Sequence, residues 1–242
     1  MFLLKGSMKA YDGNRHYSMQ EGNYFIARKN HLIRYTKFRE NDQFAKVIII
    51  LDEAFLIRFL ERHPYNVKSS NLGDSFVFIE ENKLLKNYIQ SLEPYYAGNA
   101  ILEDTFADIK REELLLIILK TNPEFEGILF NFGRPGKIDL EEFMNRNFRF
   151  NISVERFAFL TGRSLSAFKR DFKDIFNETP NRWLMMKRLK EAYFLIEKEN
   201  KKPSEIYLDL GFETPSHFSF AFKKQFGLTP TELVSPKTKD RR

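Results

Sequence analysis

The spacing of apolar residues changes character along the 242-residue chain. Over the first 80 or so residues it is short-ranged. YDGN at 11–14 and QEGNYFIARKNHLIRYTKF at 20–38 alternate apolar and polar residues around Gly, Asn and Asp, the pattern of strands joined by tight turns. KVIIIL at 46–51 is a continuous apolar run that predicts a strand covered on both faces, and FVFIEE at 76–81 resembles it. AFLIRFLERH, between these two runs, has helical spacing and is stopped by Pro64. From Asn82 the period becomes helical. Leu84, Leu85, Tyr88, Ile89 and Leu92 mark one helix, closed by Pro94. A more apolar helix spans residues 102–120 through Phe106, Ile109, Leu114, Leu115, Ile117, Ile118 and Leu119, and a shorter one is expected at 124–132. The helix at 102–120 has apolar residues on more than one face, so part of it should be covered, by a second copy as a dimer seam or by its own β-rich region.

The stretch NFGRPGKID at 131–139, with two glycines and a proline, reads as an interdomain linker, and a boundary is expected near residue 137. Everything after it reads helical and contains a repeat. Phe168, Phe172, Lys173, Phe176, Thr179 and Pro180 recur as Phe218, Phe222, Lys223, Phe226, Thr229 and Pro230, at an offset of 50 throughout. Asn177 and Gly227 correspond, and both tolerate the left-handed conformation that closes a helix. Upstream of each phenylalanine-lined helix stands a short amphipathic segment ending in glycine, SVERFAFLTG at 153–162 and SEIYLDLG at 204–211, with Ser153 and Ser204 as the expected N-caps. A short helix, a glycine turn and a second helix form the helix-turn-helix pattern, here present twice.

Charge changes this picture by separating the halves. Residues 1–140 hold 19 Lys+Arg and 19 Asp+Glu, so the net charge of +6 belongs to the remainder, and a basic half implies a polyanionic partner. In the first copy Ser166, Lys169, Arg170 and Lys173 fall on the side of the helix opposite its aromatic stripe, a set suited to base edges and phosphates in a major groove. In the second copy Phe220 holds the place of Arg170, turned away from Phe218, either to meet a thymine methyl or to tuck against a neighbouring helix. The joining run at 181–200 lacks Gly and Pro, and as a helix of roughly 30 Å it could hold two recognition helices in successive grooves. Trp183, Leu184, Leu189, Ala192 and Leu195 would pack against both modules, while Lys187, Arg188 and Lys190 could meet phosphates. The chain has no cysteine, and neither a signal-peptide core nor a membrane span is expected, which points to a cytoplasmic protein.

The block LTGRSLSAFKRDFKDIFNETPNRWLMMKRLKEA, followed by SEIYLDLGFETPSHFSFAFKKQFGLTP, closely resembles the DNA-binding domain of AraC/XylS-type bacterial transcription regulators. The resemblance implies an α+β protein: an N-terminal cupin-like β-barrel with dimerisation helices, then an all-α domain of two helix-turn-helix modules joined by a long helix. With the boundary at the linker, a regulatory and dimerisation domain is expected at 1–137, β-rich to residue 81 and helical over 82–132. The DNA-binding domain follows at 138–242, with module one at 151–180, the joining helix at 181–200 and module two at 203–235. Ser166, Lys169 and Arg170, with Pro215, Ser216, Ser219 and Phe220, are implied as base-contacting; Lys173, Lys187, Arg188 and Lys223 are expected at phosphates. Tyr207 departs from the family, which usually has a small residue there as module one does at Ala158, and it should spread the helices or find room at their edge.

The expected function is a sequence-specific transcription regulator, an activator controlled through its N-terminal domain by a small molecule or a protein. Its expected partners are double-stranded promoter DNA, RNA polymerase and a second copy bound through residues 102–120; no membrane, cofactor or catalytic residue is expected. A non-specific or architectural nucleic-acid-binding protein is the alternative. A cupin enzyme with a basic appendage is disfavoured because His31 has no His-x-His pair beside it and is expected to be a polar or turn histidine.

Overall fold

The computed structural model describes residues 1–65, 73–96 and 104–234. The chain divides into two compact units, Met1–Gly133 and Arg134–Arg242.

The first unit holds strands β1 (Phe2–Lys5), β2 (Ser7–Tyr11), β3 (His16–Met19), β4 (Tyr24–Ala27), β5 (Arg34–Phe38), β6 (Ala45–Val47) and β7 (Phe76–Ile79). Among the described residues they form two antiparallel sheets, in orders β6-β1-β4-β7 and β3-β2-β5, and neither closes on itself. Alternation along the strands explains the layering. Leu3, Phe25 and Phe76 of the four-stranded sheet share a buried cluster with Met8, Ala10 and Met19 of the other. Tyr24 and Ile79, with Phe2, Leu4, Ile26 and Val77, face the other way, into a second cluster formed with the helices. The four-stranded sheet is therefore apolar on both faces, which is why β7 reads as a continuous run. KVIIIL does not behave this way. Its strand ends at Val47, and beyond it Ile49 and Leu51 pack on the helical cluster while Ile48 and Ile50 are exposed.

The helices of this unit are α1 (Glu53–Arg62), α2 (Lys83–Ser91), α3 (Glu93–Tyr96), α4 (Asp104–Thr121) and α5 (Glu126–Leu129), the last preceded by a 3-10 turn at Pro123–Phe125. Asp52 and Asn82 cap α1 and α2 by accepting from Phe55 N and Leu85 N. The start of the expected helix at 102–120 lies outside the described residues. Within α4, Leu115, Ile118 and Leu119 are buried, whereas Phe106, Ile109 and Leu116 are exposed. His31 is a polar histidine: its Nδ1 lies 2.9 Å from Ser75 Oγ, which donates to Asp12 at 2.8 Å.

The second unit is entirely helical among its described residues: α6 (Leu140–Asn147), α7 (Val154–Leu160), α8 (Leu165–Phe176), α9 (Pro180–Glu197), α10 (Pro203–Ile206), α11 (Pro215–Phe226) and α12 (Pro230–Val234). Each Thr-Pro pair that ends a copy also begins the next helix, with Pro180 and Pro230 at the first positions of α9 and α12, where a missing N–H costs nothing. Ser153 caps α7 as expected, but Ser204 does not cap α10. That helix starts at Pro203, and the carboxylate of Glu205 reaches back to the N–H of Lys202.

Candidate nucleic-acid interface

The two repeats share the same turn and the same second helix. In each turn the glycine N–H donates at 3.0 Å to a carbonyl three residues back, Gly162 to Phe159 and Gly211 to Leu208. The next N–H reaches five residues back at 2.9 Å, Arg163 to Ala158 and Phe212 to Tyr207. Both glycines have positive φ, +67° and +80°. Helices α8 and α11 then begin on equivalent caps, Ser164 accepting from Ala167 N and Thr214 from His217 N, and end on left-handed Asn177 (φ 51°) and Gly227 (φ 79°). Phe168, Phe172, Phe218 and Phe222 are buried, with Phe172 and Phe176 against Trp183 and Phe222 and Phe226 against Tyr193. Tyr207 finds room at the edge of its module, half-buried against the cluster that Ile206, Leu210 and Phe218 form. Its bulk coincides with a shorter first helix, since α10 stops at Ile206.

The side of each helix opposite its phenylalanines faces solvent. Ser166, Lys169, Arg170 and Lys173 are exposed on α8; Pro215, Ser216, Phe220 and Lys223 are exposed on α11, with Ser219 half-buried. Phe220 is 71% exposed, so it does not tuck against a neighbouring helix. On α8 one of these cations, Arg170, shares an acid with the turn. Asp171 accepts from Arg163 Nε at 3.1 Å and from Arg170 Nη2 at 3.1 Å, and these guanidinium groups, Arg163 first, hold its carboxyl below the usual carboxylate range. Nothing in the sequence pattern marked Arg163 or Asp171; they become visible only when the turn and the helix meet.

The joining helix α9 corrects one expectation. Arg188 is 8% exposed and is not available to phosphate. Its Nε donates to Phe148 O at 2.7 Å, Nη2 to Phe150 O at 2.8 Å and Nη1 to Gly211 O at 3.2 Å. Burial pulls its pKa down to about 10, which leaves it charged at neutral pH. The signal was present: Arg188 stands four residues from both Leu184 and Ala192, on the stripe that α9 buries. It ties the α6–α7 connection to the turn of module two. Lys187 is half-buried, donating to Asn145 Oδ1 at 3.0 Å over the rings of Phe148 and Trp183, whereas Lys190 is exposed.

Comparison with known proteins gives two family matches, the ExsA N-terminal regulatory domain over residues 1–128 and a helix-turn-helix domain over residues 157–235. The chain is 25% identical to the virulence regulon transcriptional activator VirF of Yersinia enterocolitica serotype O:8, over 95% of this chain and 86% of that protein. The thermoregulatory protein LcrF of Yersinia pestis gives the same values. The HTH-type transcriptional regulator ExsA of Pseudomonas aeruginosa is 21% identical over 95% of this chain and 83% of that protein.

Proposed function

The chain belongs to the AraC/XylS-type transcription regulators, with an ExsA-type N-terminal regulatory domain, and on that premise we propose that it activates transcription by seating α8 and α11 in successive major grooves of promoter DNA. The observation that carries this reading is the pair of matched modules presenting unlike side chains on equivalent helix faces. Ser166, Lys169 and Arg170 read the first half-site, and Pro215, Ser216, Ser219 and Phe220 the second. Lys173 and Lys223 meet phosphates, joined by Lys187 where its local contacts allow. The 18 residues of α9 give a spacer of about 27 Å, near the roughly 34 Å of one duplex turn. Activation is supported by the VirF name, and RNA polymerase is the partner that activation requires.

The N-terminal unit supplies regulation and dimerisation in this proposal. Its two antiparallel sheets around one buried cluster fit a cupin-like barrel, and the exposed Phe106, Ile109 and Leu116 of α4 fit a seam with a second copy. A cavity of about 320 Å³ between the four-stranded sheet and the helices, lined by Ile26, Leu56, Ile89 and Leu114 among others, is of a size that takes a small apolar effector. A protein effector is the other option. Selection of bound duplexes from a random library tests the proposal: two conserved half-sites about one turn apart are expected. An unselective library, with binding that only falls with salt, would leave a non-specific binder instead.

A further inference from the structure

The linker that enters the second unit is seated on the turn of module one. A Cβ added at Gly162 would lie 2.4 Å from the carbonyl of Gly136 and 2.6 Å from Lys137 N, so glycine is required for this approach. Beside it Arg163, whose side chain is 7% exposed, donates through Nη1 to Ile138 O at 2.9 Å and to Thr161 O at 2.8 Å. Its Nε donates to Asp171 Oδ2 at 3.1 Å. Lys137 Nζ lies 3.8 Å from the same oxygen, and the other carboxylate oxygen accepts from Arg170 Nη2 at 3.1 Å. One guanidinium thus holds a linker carbonyl at one end and, at the other, the carboxylate that holds Arg170.

We propose that this chain of contacts couples the linker to base reading: the seating of residues 136–138 on the module-one turn sets, through Arg163 and Asp171, whether the Arg170 guanidinium is fixed for its base. The proposal rests on the reading of Arg170 as a base contact. The first unit ends at Gly133, a few residues before the seat, so a change there that pulls on the chain acts directly on residues 136–138. With the linker seated, Arg163 has both carbonyls and Asp171 has Arg163 and Lys137, so the carboxylate is held in place for Arg170. An arginine already held in its fork geometry loses less freedom on binding than one free in solvent. With the linker lifted, Arg163 loses Ile138 O and keeps Thr161 O and Asp171, Asp171 loses Lys137, and the carboxylate that anchors Arg170 is held less firmly. Arg163 and Asp171 are positioning residues in this scheme.

The test is duplex selection from a random library with the full chain, read as discrimination at each base pair. Arg170→Ala identifies the pair that Arg170 reads. Asp171→Ala and Arg163→Met are then expected to lower discrimination at that pair roughly fivefold, as for a weakened bidentate contact, and to leave other pairs unchanged. Adding either substitution to Arg170→Ala should change nothing further there. Gly162→Ala, which drives the linker off the turn without removing a charge, should reproduce the same profile. Thermal melting identifies variants that fail to fold, and Lys137→Ala, at an exposed position, keeps the test available if the buried variants do. Unchanged discrimination in the folded variants, while Arg170→Ala alters it, overturns the coupling. If Arg170→Ala alters no pair, the base-reading assignment fails, and the coupling falls with it.

Discussion

Module one turns Lys169 and Arg170 outward from a helix packed through Phe168 and Phe172; module two, packed through Phe218 and Phe222, turns out Ser216 and Phe220. The turn hydrogen bonds, the caps and lengths of α8 and α11 and their buried rings repeat, and the outward side chains do not. Burial explains the difference. A phenylalanine in the core touches many neighbours and cannot change alone, whereas a solvent-facing position answers only to what binds there. The modules also differ in what holds their turns. Gly162 is pressed by the linker backbone at Gly136 and Lys137, and Gly211 by Arg149 O and the guanidinium of Arg188. One turn is coupled to the chain entering the unit, the other to the joining helix.

The sharpest test of a shared scaffold is to damage both copies alike. Phe168→Ala and Phe218→Ala each empty a fully buried ring site, and each is expected to cost about 3–5 kcal/mol by chemical denaturation of the full chain. A gap of more than about 2 kcal/mol between the two would mean that the modules only look alike. Arg188→Met comes next. It leaves the carbonyls of Phe148, Phe150 and Gly211 without their donor, and a loss of about 3 kcal/mol is expected. Because the joint holds the turn of module two, selectivity at the second half-site should suffer more than at the first. Equal losses at both would remove the asymmetry between the two turns.

Arg170→Ala probes the surfaces. Loss of a bidentate contact is expected to cost about 1–3 kcal/mol at one base pair of the first half-site, and to leave the slope of affinity against salt nearly unchanged. Filter binding across a salt series measures both effects. A loss spread evenly over all sequences would make Arg170 a phosphate contact, and module one would then lack its main reader.

The repeat was legible because it is written in buried rings, caps and turn residues, whose types are dictated locally. Asn177 and Gly227 end their helices as their left-handed tolerance predicts. The charge of Arg188 suggests the surface, but its helical phase with Leu184 and Ala192 places it inside. The KVIIIL run misled for a related reason. Composition alone does not tell a strand covered on both faces from an extended segment that packs Ile49 and Leu51 and exposes Ile48 and Ile50. Arg163 and Asp171 lie eight residues apart on two elements, and no periodicity relates them. Ser204 competed with Pro203 for the start of α10, and the proline took the first position while Glu205 reached back to cap.

Phe220→Ala is expected to have the smallest effect and is the most informative about the second module. A thymine methyl packed against an exposed ring contributes about 1 kcal/mol or less, from a few tens of square ångströms removed from water at roughly 25 cal/mol per Å². No phosphate is neutralised, so the slope of affinity against salt should stay the same while the affinity falls. Phe220→Arg makes the modules alike. It should exchange a preference for thymine in the second half-site for one for guanine. If the preferred base stays the same after that exchange, Phe220 does not face a base. The contrast between a charged and an apolar reading helix would then describe only exposed surface.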